Sequence, residues 1–243
     1  YLPDEFRRTV ISYFQAKTQL KGVKGSEYEY MKSKNKLNSS YGMCVTDVAK
    51  GTWSGTTNAT TQIGVFKGAS GDKVDTTNAI PFDGTLEGDD NTISGFYLST
   101  VNQDNHGMFQ YVGPNGKLQN FTLSNCYMLD TSNGWRKGLL ACALSGSVDN
   151  VQIDETNYVK TGGRFAAGFA ALIGEKAEQS ITNSSFKGYV EGDLYVGGFI
   201  GRLADTTTMN IENCWADGTI VCTESSSADG LGYYVGGFAG DVY

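Results

Sequence analysis

The chain has 243 residues, a formal net charge of −7, one histidine and five cysteines, and the cysteines form no CxxC pair. This set of potential ligands argues against a zinc site, and no apolar stretch is long enough to span a membrane. Residues 1–50 hold 9 Lys and Arg against 5 Asp and Glu, whereas the remainder holds 10 against 21. Glycine divides in the same way, because only 3 of the 32 glycines lie in the first 50 residues. These shifts predict two unrelated pieces, residues 1–50 and residues 51–243.

The first fifty residues carry a helical pattern. Apolar residues recur at helical spacing after Pro3 and Asp4, and Gly22 closes this segment. A second helix is predicted from about residue 27 to residue 41, with a glycine at its C-terminal end. Two helices joined by a short turn predict an antiparallel α-helical hairpin.

The second predicted helix contains the motif KNKLNSSYG, which runs from Lys34 to Gly42. Lys34, Asn38 and Tyr41 share one face of that helix, because they lie at positions i, i+4 and i+7. The motif resembles the K-x-x-x-N-S-x-Y-G fingers motif of family B DNA polymerases, and the extension YGMCVTD resembles the phage branch of that family. The resemblance implies that Lys34 binds the triphosphate of an incoming nucleotide. It also implies that Asn38 and Tyr41 line the pocket of the nascent base pair, while Gly42 lets the chain pass close by.

The rest of a polymerase is missing from the sequence. Phosphoryl transfer needs a palm domain with two metal-binding aspartates. The sequence contains neither D-x-x-S-L-Y-P nor Y-x-D-T-D-S, and VDTTN at residues 74–78 and IDETN at residues 153–157 are poor matches. We therefore predict no catalytic residue, no metal site and no cofactor in this chain, with Mg²⁺ required only in a complete polymerase. If the chain belongs to an enzyme, the resemblance implies a DNA-directed DNA polymerase.

Beyond residue 50, a glycine-rich pattern returns about every 30 residues. YVGGFIG at residues 195–201 recurs as YVGGFAG at residues 234–240, and weaker copies lie upstream. The glycine before each apolar pair marks the period, with steps of 31, 30, 30 and 39 residues: Gly107, Gly138, Gly168, Gly198 and Gly237. ITNSSFKGYV at 181–190 and IENCWADGTI at 211–220 keep the same spacing. A fixed period of this length is typical of a repeat architecture.

Within each repeat, short apolar runs alternate with polar residues and are cut by Gly, Asn, Asp and Ser, which predicts short strands joined by turns. One repeat cannot bury its apolar face alone, so successive coils must stack, with paired strands about 4.8 Å apart. We expect Phe199 and Phe238 at equivalent inward positions. Cys126 and Cys214 both follow an Asn and precede an aromatic residue, so we expect them to match as well, as buried thiols rather than disulfides.

The two YVGGF copies, each preceded by an N-[SC]-x-x-x-G-x-[VI] run, resemble the GLUG-motif repeats of bacterial surface proteins. The segment PFDGTLEGDDNTISGF at residues 81–96 resembles the stretch that often opens such arrays, so the resemblance covers roughly residues 60–243. It implies an extracellular, adhesin-like β-solenoid and carries no catalytic residue across. The predicted fold is mainly β: a right-handed parallel β-solenoid, or β-helix, of about 30-residue repeats with an N-terminal α-helical hairpin.

Two other polar groups are interpreted as structural. Asp83, Glu87, Asp89 and Asp90 cluster on a glycine-rich segment, where a solvated turn is favoured over a calcium site because the spacing matches no EF-hand. His106, in the polar stretch QDNHG, lacks an evident nucleophile partner and is predicted to be a loop residue.

Two acid pairs leave glycoside hydrolysis open, since some β-helices perform it: Asp154 with Glu155, and Glu191 with Asp193. The tyrosines at 195, 233 and 234 fit a sugar-binding groove, but packing between coils is the favoured interpretation.

We predict a non-catalytic repeat module of a bacterial surface or secreted protein, structural or adhesive, joined to an incomplete DNA polymerase fingers fragment. The expected partners are a surface glycan or a protein for the solenoid, and weakly bound nucleotide or DNA for residues 1–50. One alternative is an excerpt of a phage-type family B DNA polymerase, and another is a β-helical carbohydrate-active enzyme. The solenoid resemblance implies the cell surface or the extracellular space and the polymerase resemblance implies the cytoplasm, so the sequence leaves the location open.

Overall fold

The computed structural model describes residues 4–24, 26, 30, 33, 62–63, 79–98, 105–130, 134–174, 180–204, 209–223 and 233–242. The chain divides into two compact units, Tyr1–Ser54 and Gly55–Tyr243. Most of the described residues lie in β-strands, and one longer α-helix lies near the start of the chain. No helix among them has both the length and the apolar character needed to cross a membrane.

The first unit contains helix α1, Asp4–Leu20. Gly22 follows it with φ at +79°, a left-handed conformation that glycine adopts at little cost after a helix. Tyr30 donates a backbone hydrogen bond to Ser26 at 2.8 Å, and Tyr30 and Ser33 have helical geometry. The first helix of the predicted hairpin is therefore confirmed, whereas most of the second lies outside the described residues.

The second unit is a right-handed parallel β-solenoid, as predicted, and its described strands form five stacked coils with four strand positions each. Coil 1 contains β1 (Thr85–Ser94), β2 (Tyr97–Leu98), β3 (Asn105–His106) and β4 (Phe109–Val112). Coil 2 contains β5 (Lys117–Ser124), β6 (Tyr127–Asp130), β7 (Arg136–Gly138) and β8 (Ala141–Leu144). Coil 3 contains β9 (Ser147–Ile153), β10 (Tyr158–Thr161), β11 (Phe165–Ala167) and β12 (Ala170–Ile173).

In the last two coils the first position is split into two short strands. Coil 4 contains β13 (Ser180–Thr182), β14 (Ser185–Phe186), β15 (Tyr189–Gly192), β16 (Tyr195–Gly197) and β17 (Ile200–Leu203). Coil 5 contains β18 (Asn210–Glu212), β19 (Trp215–Ala216), β20 (Thr219–Cys222), β21 (Tyr234–Gly236) and β22 (Ala239–Val242).

Equivalent strands stack into four parallel sheets, named here faces 1 to 4 in the order in which the chain visits them. Face 1 runs β1-β5-β9-β13-β18 with β14 and β19 alongside, and face 2 runs β2-β6-β10-β15-β20. Face 3 runs β3-β7-β11-β16-β21, and face 4 runs β4-β8-β12-β17-β22. Because like positions lie above one another, any residue that recurs with the period forms a column along the solenoid.

The stacking register corrects the glycine markers. Gly138 pairs with Ala167, and Ala167 pairs with Gly197. Gly168 and Gly198 therefore belong to the next column along the chain, not to that of Gly138. Both columns are tightly packed in coil 4, where an added Cβ on Gly197 or Gly198 would meet backbone carbonyl oxygens. Small residues suit either column, which is why a marker based on glycine alone mixes them.

The interior contains a stack of phenylalanine rings. Phe199 is fully buried, with its ring centroid 4.0 Å from that of Phe169 and 4.9 Å from that of Phe238. The ring planes are nearly parallel, with angles of 15° between Phe169 and Phe199 and 9° between Phe199 and Phe238. This confirms that Phe199 and Phe238 occupy equivalent inward positions.

A column of asparagines marks a bend within face 1. It runs down the coils through residues that all have φ between 51° and 58°: Asn120, Asn150, Asn183 and Asn213. Asparagine tolerates this left-handed conformation better than most residues do. The Nδ2 atom of Asn150 donates to Oδ1 of Asn120 at 3.0 Å, and that of Asn213 donates to Oδ1 of Asn183 at 3.3 Å. The side chains thus extend the backbone ladder from coil to coil.

The same register shows that Cys126 and Cys214 do not match. Cys214 follows Asn213 in the bend of face 1, whereas Cys126 directly precedes Tyr127 at the start of face 2. The expectation was wrong because Asn-Cys occurs at two different turns of the coil, and Asn125 also has a positive φ of 51°. The four described cysteines are free thiols.

Candidate functional site

The residues that the polymerase resemblance singles out, Lys34, Asn38, Tyr41 and Gly42, lie outside the described residues. Their role in nucleotide binding stays a prediction. The site chemistry that the structure does describe belongs to the solenoid, where polar groups divide into a buried set in the interior and exposed columns on the faces.

His106, Asp130 and Lys137 form a polar cluster inside the solenoid, called here the buried cluster. The Nζ atom of Lys137 lies 2.6 Å from Oδ2 of Asp130, and Nε2 of His106 lies 3.3 Å from the same oxygen. All three side chains are fully buried. One carboxylate oxygen therefore accepts a hydrogen bond from Lys137 and lies close to the His106 ring nitrogen, in an environment without solvent.

Strand register places these three residues inward. Lys137 pairs with His106 in coil 1 and with Ala166 in coil 3, and Ala166 belongs to the apolar core. Asp130 pairs with Thr161, which is also buried. The prediction that His106 is a loop residue is wrong, because the polar stretch around it contains the two-residue strand β3 and its side chain points into the core.

The hydrogen bonds around His106 define its tautomer. The amide oxygen of Gln62 accepts a hydrogen bond from Gly107 N at 3.0 Å, so the Nε2 group of Gln62 faces Nδ1 of His106 at 3.1 Å. An amide NH₂ only donates, and Nδ1 must therefore accept. The ring proton then lies on Nε2 and points at Asp130. A neutral imidazole satisfies both contacts.

Full burial limits what the buried cluster can do. A soluble substrate cannot reach atoms that have no exposed surface, so any reaction there is confined to the cluster itself. Among the described residues, no group of three or more His, Cys, Asp and Glu side chains is placed to hold a metal ion. The Asp83–Asp90 segment was predicted to be a solvated turn, but from residue 85 onward it lies in strand β1. Glu87 accepts hydrogen bonds there from Gln119 and Asn120, and these bonds, the one from Gln119 first, lower its pKa.

A column of tyrosines crosses the outside of face 2. Tyr97, Tyr127, Tyr158 and Tyr189 are in register on β2, β6, β10 and β15, and we call them the tyrosine column. The rings of Tyr158 and Tyr189 are stacked with centroids 4.6 Å apart and planes 7° apart, while Tyr127 and Tyr158 are 6.5 Å apart and tilted by 38°. Each side chain is partly exposed, and Tyr127 reaches 40%.

An ion pair flanks the tyrosine column. Lys160 Nζ lies 2.9 Å from Glu191 Oε1, and the hydroxyl of Tyr189 donates to Glu191 Oε2 at 2.7 Å. That hydrogen bond raises the pKa of Tyr189 to about 12. Burial raises the pKa of Glu191, but the hydrogen bonds from Lys160 and Tyr189 and the charge of Lys160 outweigh it, so the pKa is lower than usual.

The other acid pair is also engaged in structural hydrogen bonds. Asp154 Oδ1 accepts hydrogen bonds from the backbone and hydroxyl of Thr156 and from Asn157, in an Asx-type turn before β10. Together with the partners of Glu191, these contacts assign turn and ion-pair roles to two of the four carboxylates considered for glycoside hydrolysis.

A second aromatic column on face 3 is more deeply packed. Tyr195 is stacked between Phe165 at 4.9 Å and Tyr234 at 5.0 Å, and only 7% of its surface is exposed. The guanidinium of Arg202 lies 5.2 Å from the centre of the Tyr195 ring, a cation–π distance. Tyr195 therefore packs between coils, as the favoured interpretation held, and leaves little ring surface for a sugar.

Comparison with family models, with curated proteins and with solved structures finds no match for this chain. The resemblances to GLUG repeats and to polymerase fingers therefore stay predictions, and the geometry of the solenoid carries the functional argument.

The tyrosine column and the buried cluster were both missed from sequence. The signal for the first was present, since tyrosine recurs at steps of 30, 31 and 31 residues: Tyr97, Tyr127, Tyr158 and Tyr189. The signal for the second was a charged residue in an apolar column, because Lys137 aligns with Ala166 and Val196. To recognise the tyrosine column or the buried cluster from sequence, one must know which residues of successive coils pair, and the glycine markers did not give this register.

Proposed function

We propose that the solenoid is a non-catalytic repeat module of a surface or secreted protein and that the tyrosine column is its adhesive surface. The observation that carries this proposal is the column itself: four partly exposed tyrosines in register on one face. Three inter-coil steps give it a length of about 14 Å. Tyrosine is enriched in binding interfaces because it brings a large, rigid and amphipathic surface at low entropic cost.

The ring geometry favours a protein partner over a glycan. Sugars bind aromatic side chains by lying flat on an open ring face. Tyr158 and Tyr189 cover one another at 4.6 Å, so the faces that they share are closed to a ligand and the ring edges remain for contact. Ring edges suit edge-to-face contacts with the aromatic side chains of a protein partner. The neighbouring Lys160–Glu191 pair adds both charges at the border of this surface.

The placement of titratable groups supports a non-catalytic role. The three groups of the buried cluster have no exposed surface, and Glu191 is engaged by Lys160 and Tyr189. A general acid or base must come within hydrogen-bond reach of its substrate. The tyrosine column is an exposed aromatic surface that extends along four coils, and such a surface serves binding.

The test is a cell-binding assay with fluorescently labelled protein. We expect the wild-type chain to bind cells, and Tyr127→Ser/Tyr158→Ser to lose most of that binding, because both substitutions remove interface area. Trp215→Ser is the matched control, since Trp215 is 43% exposed on face 1 and lies outside the column. Far-UV circular dichroism confirms that each variant is folded.

Pretreatment of the cells separates the possible partners. Loss of binding after mild protease treatment supports a protein partner, whereas loss after glycosidase treatment alone replaces it with a glycan. Absence of binding by the wild-type chain, or equal binding by the tyrosine variant, contradicts an adhesive role of the column.

A further inference from the structure

The buried cluster has the composition and geometry of a condensation site. We propose that Lys137 and Asp130 form an intramolecular isopeptide bond, an amide between Nζ of Lys137 and Cγ of Asp130, with His106 assisting. The cross-link is independent of what the tyrosine column binds.

The reacting groups of Lys137 and Asp130 are close together. Nζ of Lys137 is 2.6 Å from Oδ2 of Asp130, and Cγ is the atom bonded to that oxygen. The stem of Lys137 packs beside Gly163, where an added Cβ would come within 2.8 Å of Cγ of the lysine. A nucleophile held this way gains an effective molarity of about 10⁵ to 10⁸ M when its approach is well aligned.

Burial of the two groups also favours condensation. A lysine and an aspartate are costly to keep charged away from water, and transfer of one proton from Nζ to Oδ2 makes both groups neutral. A neutral amine is a nucleophile, and a protonated carboxyl group can lose its hydroxyl as water. The amide product carries no charge, and exclusion of water disfavours its hydrolysis.

The atoms balance without a further reactant. Nζ attacks Cγ to form the new C–N bond, and the C–Oδ2 bond breaks. Oδ2 leaves as water with two protons that both come from the original ammonium group. The charges of the ammonium and the carboxylate cancel, so the net charge is unchanged.

His106 has a defined part in this reaction. Its Nε2 atom lies 3.3 Å from Oδ2, and the contact of Nδ1 with Gln62 places the ring proton on Nε2. A hydrogen bond to this oxygen stabilises the electron pair that Oδ2 takes from the breaking C–Oδ2 bond until its second proton arrives. His106 therefore acts as a hydrogen-bond donor to the departing oxygen.

The chain contains a matched control pair. Lys160 Nζ and Glu191 Oε1 are 2.9 Å apart, nearly as close as the buried pair, but the lysine side chain is 44% exposed. Water reaches the ammonium group there, although the Glu191 side chain is only 13% exposed, and solvation of the lysine favours the charged pair. If burial is the deciding factor, the Lys137–Asp130 pair condenses and the Lys160–Glu191 pair does not.

The experiment is intact-mass spectrometry of the full chain under denaturing conditions, followed by trypsin digestion. We expect the wild-type mass to fall short of the sequence mass by one water molecule. Trypsin cannot cleave after an acylated lysine, so residues 118–136 should stay joined to residues 137–160 in one branched peptide. Lys160→Met should keep the deficit, and Lys137→Met should abolish it.

Two further variants test the chemistry. Asp130→Asn should lose one ammonia in place of one water, because the amide nitrogen becomes the leaving group. His106→Asn should leave a larger fraction of molecules uncondensed even where far-UV circular dichroism and urea unfolding show that the variant is folded as stably as the wild type. A wild-type chain with its full sequence mass overturns the proposal, whether or not the variants fold. A water deficit that maps elsewhere, such as a succinimide at Asp83 or Asp217, overturns it too.

Discussion

Removal of one ring from the phenylalanine stack tests the energetics of the solenoid interior. Phe199 is fully buried and contacts a ring on each side, Phe169 at 4.0 Å and Phe238 at 4.9 Å. Replacing a buried Phe by Ala costs about 3 to 5 kcal/mol, and an aromatic pair contributes about 0.5 to 1.5 kcal/mol of its own. Because Phe199→Ala breaks two such pairs, we expect a loss near 5 kcal/mol in the free energy of unfolding.

The comparison variant is Phe238→Ala. Phe238 lies in the last described coil, is only partly buried and has one stacked neighbour, so its loss should cost about half as much. The assay is equilibrium unfolding in urea, followed by far-UV circular dichroism. A cost below about 1 kcal/mol for Phe199→Ala, or equal costs for the two variants, would refute the reasoning.

Three other predictions follow from single residues. Asn183→Ala should destabilise the protein more than Asn183→Gly in urea unfolding. Alanine loses about 1 to 2 kcal/mol in the left-handed conformation that glycine adopts freely. The reverse order of stability would contradict a structural role for the asparagine column. The folded pKa of Tyr189, about 12, exceeds the ordinary value of 10.0, so the hydrogen bond to Glu191 stabilises the fold below pH 10 and this stability is lost as the pH rises through 12. Ultraviolet titration should show the ionisation of Tyr189 at lower pH in Glu191→Gln than in the wild type. An unchanged titration would exclude the hydrogen bond to Glu191 as the cause of the raised pKa. The chain should not extend a labelled primer–template with Mg²⁺ and four nucleotides. Any nucleotide binding should be weak, salt-sensitive and reduced in Lys34→Ala. Template-directed extension that disappears in Lys34→Ala would show that a polymerase metal site was missed.

The fold class could be predicted from the period, but the register could not. A repeat of about 30 residues with two-residue alternation leaves a parallel solenoid as the simplest way to bury every repeat. The register depends on which small residue lies at each tight turn, and Gly138, Ala167 and Gly197 fill one column interchangeably. The register deduced from the glycine markers was therefore wrong by one residue between coil 2 and coil 3.

The buried cluster could not be predicted from sequence for a related reason. Lys137 and Asp130 are seven residues apart and are separated by a corner of the coil, so their contact follows from the angle between faces 2 and 3. His106 lies 24 positions before Asp130 in sequence and reaches it only because β3 stacks on β7. Local sequence context describes neither the angle nor the stacking.

The proposals for the solenoid require that like positions stack along one axis, and a distance across four coil steps tests that requirement most directly. Thr92, Thr122, Gln152, Ser185 and Trp215 are paired in succession on face 1, and the two end residues are exposed. Spin labels on Thr92→Cys and Trp215→Cys, with the native cysteines replaced by serine or alanine, allow the distance to be measured by pulsed electron–electron double resonance. Four steps of about 4.8 Å predict a narrow distribution near 19 Å, broadened by the label arms. A broad distribution, or one centred well beyond 30 Å, would contradict the stacked solenoid and the columns that depend on it.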